Sequence, residues 1–280
     1  MPSKLTTTAH PGDAQAMSDR ASRALGNSFG VWEAAFGLVV GFLLSIVAVS
    51  LYDAIAGAHP DQIGTDIADF AGLWIGFAGA AIAASRTGGV ARSIAAARTP
   101  VRESTVTPWA AFVEDYGFRL RPWPDLPLGI VIGVASQYLL VPLLELPLQP
   151  FVHNLNQQLG HPTQTLLSPV QYNTASLVVL TVLVCVGSPL VEELFFRGLL
   201  LRGLLGRFQH LGSRAGPALS IVVTGLVFGL VHFERLQFLG LAGFGALLAY
   251  VAYRTGRLGP TIVAHVAFNT TTIIAFVLQH

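Results

Sequence analysis

Two adjacent glutamates, Glu192 and Glu193, precede Arg197 in an otherwise apolar stretch, Val191-Glu192-Glu193-Leu194-Phe195-Phe196-Arg197. On a helix, Glu193 and Arg197 stand at i, i+4 and can pair on one face. A carboxylate in an apolar setting needs such a partner. Glu192 points about 100° away and has no local cation. Desolvation disfavours the charged form of a carboxylate, and a carboxylate tuned this way suits a general base. The plainer reading is a helix end in water with both glutamates solvated. Downstream, Phe228 and His232 share a helix face, and so do His265 and Asn269, with Thr261 one turn earlier. Alone, His232 reads more readily as a satisfied or interfacial histidine than as a catalytic one, while a polar clamp between helices is the lesser reading of His265 with Asn269. Together, one carboxylate, two histidines and one amide can activate a water and stabilise an oxyanion. No GxSxG or HExxH motif competes, and the single cysteine, Cys185, lies in an apolar run.

The elements that must carry these residues are apolar. Hydrophobic residues make up 52% of the 280 and charged residues 11%, against about 25% charged in a soluble domain. Such a chain cannot cover itself with a water-facing shell, and mean hydropathy is +0.61. A net charge of +1 gives no support for nucleic-acid binding. One cysteine excludes an internal disulfide. The fold class is therefore all-α and polytopic, with about seven to eight transmembrane helices and an interfacial helix. Apolar runs long enough to cross a bilayer lie at about 31–51, 67–84, 126–146, 175–205, 218–233, 238–253 and 260–278. The second holds Gly72, Gly76, Gly79, Ala80 and Ala83, small residues that let helices approach closely in lipid. The fourth exceeds one span, and Pro189 is a natural place for it to kink.

Residues 1–28 are polar and read as a flexible cytoplasmic tail, 29–173 as N-terminal spans with a basic loop, and 174–280 as the catalytic membrane core. Trp109 and Trp123 suit a headgroup belt, with an interfacial anchor around Trp109 to Phe118. A short surface helix is expected within 147–173. With the N-terminus inside and spans alternating, fifteen of the sixteen basic residues, Arg197 and Arg202 among them, fall on the inner side, and Arg235 alone falls outside. This is the pattern of a plasma (inner) membrane protein.

The three motifs EExxxR, FxxxH and HxxxN, in this order, resemble those of the CPBP family, which includes the CAAX prenyl endopeptidases and Abi-type membrane proteins. The resemblance covers about Thr174 to Leu278. It implies an intramembrane endopeptidase acting on a membrane-associated peptide or protein within the lipid bilayer. Glu192 would be the general base, and His232 would orient the water or bind a metal with it. His265 and Asn269 would stabilise the oxyanion, while Glu193, Arg197 and Phe228 support the helices. Glu192, His232 and His265 could hold Zn²⁺, or the same residues could run a metal-free glutamate mechanism. The cavity is expected to open towards the cytoplasmic leaflet, which requires tilted or short helices because His232 sits near the opposite end of its span. The alternative is a non-proteolytic membrane protein, either a transporter or an immunity or scaffold protein of the same fold.

Overall fold

The computed structural model of the protein describes residues 30–96, 108–170 and 173–279, so the tail 1–28 lies outside the described residues. These residues form helices α1 (Val31–Ala56), α2 (Gln62–Ala96), α3 (Pro108–Tyr116), α4 (Pro122–Leu148), α5 (Leu155–Leu167), α6 (Thr174–Arg207), α7 (Gly212–Leu230), α8 (Phe238–Thr255) and α9 (Gly259–Gln279), with no strand among them. All but α3 and α5 are long and apolar enough to cross a membrane. The expected seven to eight spans are thus seven among the described residues, and the two short helices match the interfacial and surface helices expected around residues 109–118 and 147–173. Trp109 and Trp123 are exposed, as belt residues must be. Most spans extend a few residues beyond their apolar runs because terminal polar groups find local partners. Asp61, for instance, accepts from the Gly64 N–H at 2.9 Å and the Tyr52 hydroxyl at 2.5 Å, and the Tyr52 bond above all holds its carboxyl below the usual carboxylate range.

Helices α1 and α2 pack along their small residues. A Cβ built on Gly76 would lie 2.2 Å from the Gly41 Cα, and one on Gly72 would lie 2.5 Å from the Leu44 carbonyl oxygen. Gly79 has open space around it, so only part of the glycine-rich stretch serves this contact. Gly76→Val is expected to force the two helices apart and cost about 1–3 kcal/mol, read as a lower unfolding temperature in detergent. Gly79→Val, made in parallel, should leave that temperature unchanged.

The end of the bundle that carries most arginines is tied by arginine bonds to backbone and carboxylate. Arg202 donates to the Asp115 carbonyl oxygen at 2.7 Å and to that of Gly256 at 3.3 Å. Arg257 pairs with buried Asp125 at 2.5 Å. Arg202 is therefore buried at the end of α6 rather than in an inner loop as the charge pattern alone implies, and Arg197, earlier on the same helix, is buried as a partner of Glu193 must be. The long side chain of Arg202 lets one guanidinium reach two carbonyls that helix ends leave unpaired.

Helix α6 carries the glutamates and is irregular in a specific way. Asn173 starts it by accepting from the Ser176 N–H at 3.1 Å. Two wide π turns, Leu183–Gly187 and Leu194–Leu200, then bracket the α-helical segment Ser188–Glu193. Pro189 follows the first of them. It has no N–H to give to the chain behind it, and the Ser188 N–H bonds back to the Leu183 carbonyl. The Val184 carbonyl is thereby left without a helical donor. Around this segment, Phe77 stacks on Phe195 with centroids 4.2 Å apart, and Phe196 meets Phe228 edge-on at 5.2 Å.

Candidate active site

The four side chains singled out by type and spacing line one cavity of about 590 Å³. Glu192 comes from α6, His232 from the turn after α7, and His265 and Asn269 from α9. Each is set by a contact to a neighbouring element or turn. The Ser188 hydroxyl, one turn back on α6, donates to Glu192 Oε1. Glu192 Oε2 has no hydrogen-bond partner and lies 3.9 Å from His265 Nε2, too far for a hydrogen bond. His232 Nδ1 sits 2.7 Å from the Phe228 carbonyl oxygen. A carbonyl only accepts, so Nδ1 carries the proton and the neutral ring keeps its Nε2 lone pair. Phe228 thus fixes the tautomer of the histidine through its backbone and carries the ring at 4.7 Å through its side chain.

Glu193 does more than pair with Arg197. Its Oε1 accepts from Arg197 at 2.6 Å and also faces His265 Nδ1 at 3.0 Å. The arginine in turn donates to the Gly245 carbonyl of α8 at 3.1 Å and lies 4.5 Å over the Phe228 ring. Glu193 and Arg197 therefore form a fully buried strut that joins α6, α7, α8 and α9 and sets the orientation of His265. The His265 ring is further wedged between Phe228 and Phe244, at 5.7 and 5.6 Å.

Asn269 lines the cavity, but one of its amide protons is already committed. Nδ2 donates at 2.8 Å to the Val184 carbonyl, the group that Pro189 left without a donor. Only its second N–H is free for a ligand. Among the described residues, no three His, Cys, Asp or Glu side chains stand close enough together to hold a metal ion. Glu192, His232 and His265 share the cavity without forming such a cluster.

Sequence reasoning passed over Ser188, whose i, i+4 spacing to Glu192 was a usable signal. It also passed over Glu145 and Gln137 of α4, which line the cavity from the opposite wall. The position of the cavity differs from expectation too. Its lining comes from the second half of α4, α5, the first half of α6, the α7–α8 turn and the later part of α9. Gln149 and Asn156 line it and are themselves exposed, so the mouth lies beside α5. That is the end of the bundle away from Arg86, Arg119, Arg207 and Arg254. Glu192 stands near the middle of α6 rather than at its arginine-rich end, and His232 closes the set from the far side.

Fold and cavity together define a polytopic helical membrane protein whose last four spans and α4 enclose a largely apolar chamber with a few polar groups in its wall. Residues 174–271 match the family model described as Rce1-like, a type II CAAX prenyl endopeptidase, and this part of the chain is similar to that family of membrane peptidases. The match covers about a third of the chain and contains all three motifs. No curated protein and no solved structure matches.

Proposed function

We propose that the protein is an intramembrane endopeptidase that hydrolyses a peptide bond of a membrane-associated peptide or protein with a water activated by Glu192 and His232. The observation that carries the reading is the meeting of three separately spaced motifs in one cavity, with Glu192 Oε2 left unpartnered there. In this mechanism Oε2 and the His232 Nε2 lone pair hold the water. The water oxygen attacks the carbonyl carbon while its proton passes to Glu192. The His265 ring, protonated on both nitrogens, is held by Glu193 at Nδ1 and offers Nε2–H to the developing oxyanion, with the free N–H of Asn269 as a second donor. Glu192 then returns the proton to the nitrogen as the C–N bond breaks, which leaves one carboxylate and one amine.

Positive charge on the inner side of the membrane would put the N-terminus in the cytoplasm and the mouth of the cavity on the outer side. The substrate would then be a segment presented from the outer leaflet.

The test is a panel of quenched fluorescent peptides offered to the protein in liposomes, in water enriched with ¹⁸O. Cleavage should give one new amine and one new carboxylate carrying a single ¹⁸O, and His265→Ala should abolish it. Survival of the activity in a chelator would match the metal-free steps above, whereas loss that Zn²⁺ reverses would replace them. A folded protein that cuts nothing across a broad panel would turn the reading towards a non-proteolytic role for the same cavity.

A further inference from the structure

The wall of the cavity opposite Glu192 carries a second carboxylate that the proposed chemistry leaves idle. Glu145, near the end of α4, is 6% exposed and lines the cavity, and its Oε1 has no hydrogen-bond partner. Gln137, on the same helix and the same cavity wall, also has a buried carbonyl oxygen, Oε1, without a donor. Buried polar atoms are almost always satisfied, so each orphan calls for an explanation. Room has been kept for the carboxylate, since a Cβ on Gly240 of α8 would lie 2.8 Å from Glu145 Oε1. Among the described residues, no lysine or arginine lines this cavity. The chamber thus holds two carboxylates and an unpaired amide oxygen but no permanent cation.

Resting on the peptidase reading, we propose that Glu145 forms a specificity subsite for a cationic group of the substrate. An ammonium or guanidinium supplies the donor that Glu145 Oε1 lacks. A charge-assisted bond in a partly desolvated chamber is stronger than a neutral one. A free chain-terminal carboxylate would instead meet like charge on this wall. The cation can come from a lysine or arginine side chain or from the amino terminus of a peptide, and both sources present the same donors to Glu145.

The test pairs peptides that differ only by lysine or norleucine at each position, each made with a free and an acetylated amino terminus. In liposomes, wild type should favour lysine at one position by about tenfold or more in kcat/KM, or favour the free terminus by as much, which separates the two sources. Glu145→Gln should bring that ratio close to one, and Glu145→Asp should keep part of it. A merely structural Glu145 would change both rates together and leave the ratio alone. The same fluorescein-labelled peptides are titrated onto the non-cleaving Glu192→Gln protein, where the lysine or free-terminus peptide should bind more tightly and the additional Glu145→Gln change should erase the difference. If no peptide is cut yet this binding preference is found and lost as stated, the subsite stands while the peptidase reading falls. A preference that persists in Glu145→Gln, or the absence of any charge preference in both cleavage and binding, overturns the subsite.

Discussion

Glu192→Gln is expected to lower kcat/KM for peptide hydrolysis by about 10²–10⁴-fold and to leave the unfolding temperature close to that of wild type. The carboxylate is half-buried, accepts from Ser188 and has no arginine bound to it. An amide of the same shape keeps the Ser188 bond through its oxygen. It cannot take a proton from water, so the loss should fall on turnover alone. Initial rates in liposomes and thermal unfolding in detergent, measured on the same preparation, separate the two effects. A glutamine variant with full turnover would remove Glu192 from the role of base. Ser188→Ala frees Oε1 without touching the proton-accepting oxygen, and a smaller loss of rate is the natural comparison.

The neighbouring carboxylate should behave in the opposite way. Arg197→Ala is expected to cost about 3–5 kcal/mol of stability, because it leaves a buried glutamate uncompensated. Arg197 is 1% exposed and Glu193 is 0% exposed, so water cannot take the arginine's place without opening the bundle. The guanidinium also holds the Gly245 carbonyl and covers Phe228. Arg197→Lys should not rescue the protein, since one ammonium lacks the planar fork that serves Glu193 and Gly245 together. The double change Arg197→Met with Glu193→Gln removes both charges and should recover part of the stability. Turnover should stay low, because His265 loses the carboxylate at its Nδ1. Unfolding in detergent and protein level in the membrane check the first claim, and peptide cleavage checks the second. A stable Arg197→Ala protein would show that the strut is not what holds α6 to α8 and α9.

These two glutamates mark how far the sequence can be read. Hydropathy located the seven spans because lipid demands long apolar runs, and it misjudged their ends where residues such as Asp61 and Asn173 satisfy the first turns of helices. The Glu193–Arg197 pair was legible because it is local, four residues apart on one helix. The bond from Glu193 to His265 spans 72 residues, and no spacing rule announces it. Arg202 looked like a loop arginine because charge alone does not reveal that its partners are backbone carbonyls. Asn269 was legible as a polar residue of the site, but its bond to Val184 depends on a carbonyl freed by a proline on another helix. Glu145 raised no signal because it belongs to none of the three motifs, and only the shape of the cavity shows that it faces them.

The two wide turns of α6 also bear on how this chain can change over generations. Each π turn holds one more residue than a regular turn, and each side chain along an α-helix is rotated by about 100° from the last. The six residues Ser188–Glu193 are thus framed by what amount to two single-residue insertions. Loss of one codon within 183–187 would leave Glu192, Glu193 and Arg197 in the protein and their local spacing intact. It would close the wide turn into an ordinary α-helical one and leave all three facing much as before, whereas loss of one codon within the regular stretch 174–182 would swing them by about 100° relative to the start of the helix. Drift by deletion is thus open at the two wide turns and closed in the regular stretches of the same helix, where every lost codon re-aims the carboxylates.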